Sequence, residues 1–324
     1  MAIDIGRRQF ISALGSATLA WPLGVRAQQS DKLLRIGTAN AQPRSVPQWV
    51  AFENRLQELG HNFSFDYVQV TGPDGWNDGY HEVIARKPDI VIAAGPENSL
   101  KAAVAEAGAL PIVMIAVDFD PIARHYAAGL AKPGGNLTGV YTQNAELASK
   151  HLQLIKQAVP DVSTVTVFRD RQNVDYWMAL RAAAPQQNIK LAWFDFDERP
   201  YDYERAVASM ASSERGFLIV MSSPFFFLDR AKLGEAVLRQ HVPSLTQARE
   251  SVVAGMLMSY GADLPSMWVR AADHVDLIAK GASPGDVPIE QPTRFDLVIN
   301  LTTAKTLGIT FPPTFLALAD EVIE

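Results

Sequence analysis

From Leu33 onward the apolar positions of this chain alternate between two patterns: short continuous runs, and longer stretches with an apolar residue every third or fourth place. The runs over 34–38, 63–70, 89–94 and 111–117 have strand length, while the stretches over 49–59, 80–86 and 97–107 have helical period. Gly60 closes the first helix and Pro88 follows the second, both ordinary stop signals. In Asp89-Ile-Val-Ile-Ala-Ala94 every residue after the first is apolar, which predicts a strand covered on both faces of a parallel sheet.

The pattern breaks at Lys132-Pro-Gly-Gly-Asn-Leu-Thr-Gly-Val-Tyr141, where Pro133, Gly134 and Gly135 prevent a helix from continuing. An apolar, β-branched segment follows over 137–142. It reads either as the first passage from one lobe to the next or as a surface turn, and the repeated plan beyond it favours the passage. Helices over 146–158, 175–187, 201–212 and 228–240 alternate there with strands over 163–168, 191–196, 216–221, 243–247 and 255–260. Asp175 is a candidate N-cap. The tail adds a helix over 264–280, a Pro/Gly connector over 281–292, a strand over 295–299 and a short helix over 302–307. Met267, Trp268, Ala271, Val275 and Ile278 form a stripe with core spacing on the first of these helices. One βα plan used twice, with right-handed crossovers, predicts an α/β fold of two Rossmann-like three-layer lobes. The expected division is 31–139 plus 261–285 for the first lobe and 140–260 plus 286–324 for the second.

Length agrees with this, since 324 residues suit two domains of roughly 100 to 150 each. The formal charge of -6, with no dense Lys/Arg patch, argues against a nucleic-acid partner. Gly6-Arg7-Arg8-Gln9-Phe10-Ile11, then a small and apolar stretch, then Val25-Arg26-Ala27, read as a twin-arginine-type signal peptide over 1–27, cleaved near Ala27. Its apolar run of about 15 residues is shorter than the ~20 that span a bilayer. The chain has no cysteine, which excludes disulfides, thiol catalysis and zinc–thiolate sites, and with them a cysteine-linked lipid anchor. The expectation is a free periplasmic monomer.

Enzyme signatures are missing: there is no Gly-x-Ser-x-Gly elbow, phosphate loop, dinucleotide fingerprint or His-Glu-x-x-His. The histidines at 61, 81, 125, 151, 241 and 274 lack metal-ligand spacing, and Asp118-x-Asp120 and Asp195-x-Asp197 read as solvated loop pairs. No catalytic residue, metal or cofactor is expected.

Four segments carry a resemblance: Gly134-Gly-Asn-Leu-Thr-Gly139, Gly255-Met-Leu-Met-Ser-Tyr-Gly261, Gln291-Pro-Thr-Arg-Phe-Asp-Leu-Val-Ile-Asn-Leu-Thr-Thr-Ala-Lys305 and Ala319-Asp-Glu-Val-Ile-Glu324. In this order they resemble the ABC transporter substrate-binding protein family that includes tryptophan- and tyrosine-type receptors. The resemblance implies a type I periplasmic binding protein fold, two lobes joined by a three-strand hinge, capture of a small solute by hinge closure, and an inner-membrane ABC permease as partner. It leaves the solute open. The alternative is a periplasmic sensor presenting the same fold to a membrane signalling protein.

Ligands of parallel α/β sheets bind beyond the carboxyl ends of the strands. That rule selects Asn40, Glu97, Asn98, Ser99 and Asp118 in the first lobe and Arg169, Tyr176, Ser222, Ser223, Phe225, Gln247 and Arg249 in the second, with Tyr141 and Tyr260 near the crossings. Helix-start amides near Asn98 and Ser223, paired with Arg169 or Arg249, suit a carboxylate, while Tyr141, Tyr176, Phe225 and Tyr260 suit an apolar ligand body. Glu97 and Asp118 either hold a ligand amine or favour a helix start and a turn. Each has a structural reading as well: Asn98 and Ser99 as caps, Arg169 as a solvated loop residue, Phe225 as core and Tyr260 as hinge packing. The expected solute is an amino acid or an aromatic or branched organic acid.

Overall fold

The computed structural model describes residues 33–324 apart from 73, 171–173 and 211–215, and the leader expected over 1–27 lies outside them. Within these residues the apolar runs form two separate sheets. In the first, β1 (Leu34–Asn40), β2 (Phe63–Gln69), β3 (Ile90–Gly95), β4 (Ile112–Val117) and β5 (Leu137–Thr142) lie in the order β2-β1-β3-β4-β5, all parallel. The strands behave as a doubly covered sheet requires. Ile90, Ile92 and Ala94 join one apolar cluster with α1 (Pro47–Glu58) and the long helix Leu264–Ala279, while Val91 and Ala93 join another with α2 (Trp76–Ala85) and α3 (Glu97–Ala107). Period-2 alternation within an all-apolar run thus feeds two cores at once.

In the second sheet, β6 (Thr164–Arg169), β7 (Lys190–Asp195), β8 (Gly216–Val220), β9 (Ser244–Thr246), β10 (Met258–Ala262), β11 (Phe295–Asn300) and β12 (Glu321–Ile323) lie in the order β12-β11-β10-β9-β8-β6-β7. Only the β10–β11 pair is antiparallel. α4 (Ala148–Ala158) and α5 (Val174–Ala183) cover one face; α6 (Tyr203–Ala208), α7 (Pro224–Leu228) and α8 (Arg230–Arg239) cover the other. α9 (Arg249–Val253) joins β9 to β10, α10 (Leu264–Ala279) belongs to the first lobe, and α11 (Leu301–Thr306) and α12 (Pro313–Leu316) pack beside the second sheet. The stripe Met267, Trp268, Ala271 and Val275 is core, packed on Trp49 and Phe52 of α1.

The turn at Pro133–Gly135 feeds β5 and not the second lobe. β5 pairs with β4 along its whole length, so Val140, Tyr141 and Thr142, expected in the second lobe, stay with the first sheet. The reason is the close approach allowed by Gly139, where a Cβ would lie 2.0 Å from Met114 O. The chain leaves this sheet after Thr142 through the 3-10 turn Asn144–Leu147, returns between β10 and α10, and leaves again toward β11. On the last passage Glu290 bonds β5 by Tyr141 N–H to Glu290 O and Glu290 N–H to Gly139 O, both 3.0 Å.

Candidate functional site

The carboxyl ends of both sheets face one cavity. From the first lobe it is lined by Asn40, Gln42, Gly95, Pro96, Val117 and Thr142 at strand ends, with Gln48 of α1 and Trp268 of α10. The second lobe supplies Met221, Ser222, Ser223, Phe226 and Phe227 beyond β8, Thr246 and Gln247 at β9, and Ser251 of α9. The cavity is narrow, about 70 Å³, and among the described residues no lining side chain is charged.

Local chemistry explains the shape of the walls. Asn40 Nδ2 donates to Ala94 O at 3.0 Å and its Oδ1 accepts from Gln42 N–H at 2.9 Å, tying the loops after β1 and β3 together. Ser223 caps α7 by accepting from Phe225 N–H at 3.1 Å and donates to Asp170, which turns Phe226 and Phe227 along the wall.

Several lining side chains lack partners. Gln48 Oε1, Thr142 Oγ1 and Trp268 Nε1 are buried with no hydrogen bond, and so are both amide atoms of Gln247 by strict geometry, although the Tyr176 hydroxyl lies near enough for a longer contact. Asp118 Oδ2 is also unpartnered, on the residue that follows the lining Val117. An unsatisfied buried polar group costs about 1–3 kcal/mol, and native structures keep few of them. Trp49 and Trp76 carry the other unpartnered side-chain atoms among the described residues, so six of eight such atoms gather at or beside this cavity. That concentration makes this cavity the candidate site.

Asp118 ends β4 with φ +70° and is 3% exposed. Its N–H donates to Thr142 O at 2.8 Å and its Oδ1 accepts from Asn144 N–H at 3.2 Å. Burial pushes its pKa well above the ordinary 3.8, Asp175 and Asp170 push the same way, and the Asn144 N–H opposes them. Nearby, His151 is held between the Tyr176 hydroxyl at 2.6 Å and Tyr260 O at 2.8 Å; burial lowers its pKa to about 4.

The structure brings Asn40, Ser222, Ser223 and Gln247 together at the cavity, while Asp118 and Tyr176 are not on its lining but adjoin lining residues, Asp118 following Val117 and bonding Asn144, Tyr176 lying near Gln247. The other sequence candidates go elsewhere. Arg169 forms a two-pronged pair with Asp195 and stacks 4.4 Å over Trp177, and Arg249 pairs with Glu321 at 2.6 and 2.5 Å, so neither expected anion partner faces the cavity. Each was placed there by its closeness to a strand end, but an internal carboxylate captures it. Glu97 holds Arg124 and the Tyr126 hydroxyl. Asn98 is exposed off the lining, and Ser99 is fully buried with its hydroxyl bonded to Tyr80 at 2.9 Å. Tyr141 lies in the first-lobe core, Tyr260 packs beside His151 and Phe295, and Phe225 is fully buried with first-lobe side chains, leaving Phe226 and Phe227 to line the wall. Gln48, Thr142 and Trp268 escaped the sequence reading. For Gln48 a signal existed: it is a polar residue in the inward stripe Gln48, Trp49, Phe52, Leu56 of α1.

Residues 65–323 match the ABC transporter substrate binding protein family. The chain belongs to this family. Its members bind small-molecule solutes and work with ABC permeases; they are substrate-binding proteins, not enzymes, and typically extracytoplasmic. A tyrosine-binding protein of Clostridioides difficile is 24% identical over 263 residues, 80% of this chain and 74% of that one. The ABC domain in complex with L-Trp from Streptococcus pneumonia superposes with TM-score 0.78 at 23% identity, over 90% of this chain and all of that one. The ligand-free, open structure of a substrate binding protein with adhesive properties from Clostridium difficile superposes less well, with TM-score 0.61 at 19% identity over 90% of this chain and 99% of that one. These likenesses establish the two-lobed type I periplasmic binding fold. Among the described residues no helix is long and apolar enough to cross a membrane, and no group of His, Cys, Asp and Glu side chains could hold a metal ion.

Proposed function

We propose that this protein is the exported solute receptor of an ABC importer, and that it captures an amino acid or a related aromatic or branched organic acid between its lobes by hinge closure. The observation that carries the reading is the cavity where both sheets end, with unpartnered buried groups on both sides: Gln48, Thr142 and Trp268 from the first lobe, Gln247 from the second. A solute that satisfies both sets at once binds the closed arrangement better than the open one, and that difference in affinity drives closure. Phe226 and Phe227 supply an apolar wall for its body, and Ser222 and Thr246 supply neutral donors.

Closure is further supported by contacts that bridge the lobes. Arg124, in the segment after β4, pairs with Asp175 of α5 through two 2.9 Å bonds, and Gln48 of α1 reaches Glu250 of α9 at 3.5 Å. The better match to the L-Trp complex than to an open, ligand-free neighbour points the same way. The tyrosine and tryptophan named for the two relatives make these the first solutes to try. A permease would read the closed shape of what acts as a periplasmic monomer.

The test is a thermal-shift screen of amino acids and of aromatic and branched carboxylic acids. A solute at 100 times its Kd adds roughly 2.7 kcal/mol, enough to raise Tm by several degrees. An unmoved Tm across the whole panel would defeat the receptor reading for this solute class.

A further inference from the structure

The unpartnered acceptors at the cavity are joined. Thr142 Oγ1, Asp118 Oδ2 and Gln247 Oε1 are all buried and unsatisfied. Asp118 is bonded through its backbone to Thr142 and through Oδ1 to Asn144, both of which line the cavity, and Asp118 and Gln247 both bear on the Tyr176 hydroxyl. The surroundings of this group are acidic. Asp170, at the end of β6, and Asp175, on α5, both act on Asp118, while the cation Arg124 is spent between Asp175 and Glu97. Among the described residues, no Lys, Arg or His lines the cavity. A buried carboxyl with an unpartnered oxygen, a hydroxyl acceptor and an amide acceptor thus have, among the described residues, no cation on the lining beside them; what is missing is a positively charged donor.

We propose that Asp118, with Thr142 and Gln247, holds the ammonium group of an amine-bearing solute. The proposal rests on the receptor reading and specifies which end of the solute the first crossing recognises. It reverses the emphasis of the sequence, in which a carboxylate clamp by Arg169 or Arg249 was foremost. A primary ammonium carries three N–H donors, and Asp118, Thr142 and Gln247 each carry one unpartnered acceptor. The acidic end of a zwitterionic solute is then left to neutral donors such as Trp268 Nε1, which is also unpartnered on the lining.

Proton release follows. Without a solute, Asp118 is desolvated, next to Asp170 and Asp175, and these raise its pKa well above the ordinary 3.8, so its carboxyl holds a proton to higher pH than a free aspartate does. When R–NH3+ enters, its N–H groups bond Oδ2, the carboxyl proton goes to solvent, and the ammonium keeps all three of its own. The other groups facing Asp118 do not supply that proton. Tyr176 stays neutral because burial raises its pKa well above 10, and His151, reached through Tyr176, stays neutral above pH 5 because its own lies at about 4.

The experiment is isothermal calorimetry at pH 6 in two buffers of different ionisation enthalpy. The probes are L-tyrosine and L-tryptophan, their amine-free analogues 3-(4-hydroxyphenyl)propionate and 3-(indol-3-yl)propionate, and the carboxylate-free tyramine and tryptamine. Losing charge-assisted bonds should weaken the amine-free acids by roughly ten- to a hundredfold relative to the amino acids. The unmodified protein should release a measurable fraction of one proton per solute bound. Asp118→Asn, which keeps the side chain's size and tolerates the left-handed backbone, should melt as the unmodified protein does and lose both the amine preference and the proton release. Equal binding of amine-free and amine-bearing acids, or binding of amino acids without proton release, would overturn the proposal while leaving the receptor intact. Silence from all six probes would remove the receptor reading for aromatic solutes and this inference with it. The comparison of probes and the proton count both use the unmodified protein, so they decide the matter even if the variant does not fold.

Discussion

Asp118 and Asp229 are both buried carboxylates, one in each lobe, and their surroundings are opposites. Asp229, at the end of α7, accepts from Arg199 and from the Tyr203 hydroxyl, both at 3.0 Å, with Lys232 at 3.9 Å. Asp118 has one backbone N–H, an unpartnered oxygen and two acidic neighbours. The first is satisfied within the fold; the second keeps an oxygen without a hydrogen bond. Burial of a carboxylate therefore does not by itself single out a candidate binding group; its partners separate the two.

Breaking the comparison at its satisfied end should have the largest effect. Asp229→Asn leaves the part-buried Arg199 without its carboxylate and should cost about 3 kcal/mol in urea unfolding, the low end for a broken buried pair because Arg199 keeps some solvent. Asp118→Asn should cost less than about 1 kcal/mol at neutral pH, since it replaces a carboxyl whose charged form burial already disfavours. If the two variants lose equal stability, the contrast is void.

The pH dependence sharpens the contrast with a second buried group near the same crossing. His151 titrates at about 4 in the folded chain against an ordinary 6.5, so the unfolded chain takes up its proton first. Stability present above pH 6.5 should therefore fall as pH drops from 6.5 towards 4, by about 3 kcal/mol in all. Asp118 has the opposite sign: its raised folded pKa favours the native state most below pH 3.8 and loses that advantage as pH rises. Urea midpoints at pH 7, 5.5 and 4.5 should show a steeper acid loss in Asp118→Asn than in the unmodified protein, and a shallower one in His151→Gln. An unchanged slope in His151→Gln would exclude His151 as its source.

The smallest effect is expected where charges meet water. Arg124 and Asp175 bridge the lobes but are 40% and 31% exposed, and Arg124→Gln should cost well under 1 kcal/mol of stability. Its readout is shape: small-angle scattering should give a larger radius of gyration for the variant at low salt, with the difference fading as salt screens the pair in the unmodified protein. No change in radius would mean that this pair does not bias the lobes toward closure.

Much of this molecule could be read along the chain. Ile90 to Ala94 announced a doubly covered strand, and Trp268 lay on a stripe with core spacing, because burial is periodic and period is visible in one dimension. The strand ends were equally legible, and with them Asn40, Ser222, Ser223 and Gln247 at the cavity. Arg169 and Arg249 occupy strand ends too, yet Asp195 and Glu321 claim them from 26 and 72 positions away. Helices as short as α7, α9 and α12 gave too few residues for a period to register.

The sequence by itself determined that the chain alternates strand and helix twice over and which positions end its strands, since hydrophobic spacing and Gly/Pro punctuation are local properties. Only the tertiary structure decided which of those strand-end groups remain free. Whether a side chain at the edge of a sheet is spent on an internal partner or left facing an empty space depends on residues brought beside it from distant parts of the chain. That is why Arg249 closed on Glu321 while Asp118, Thr142 and Gln247 were left with bonds to make.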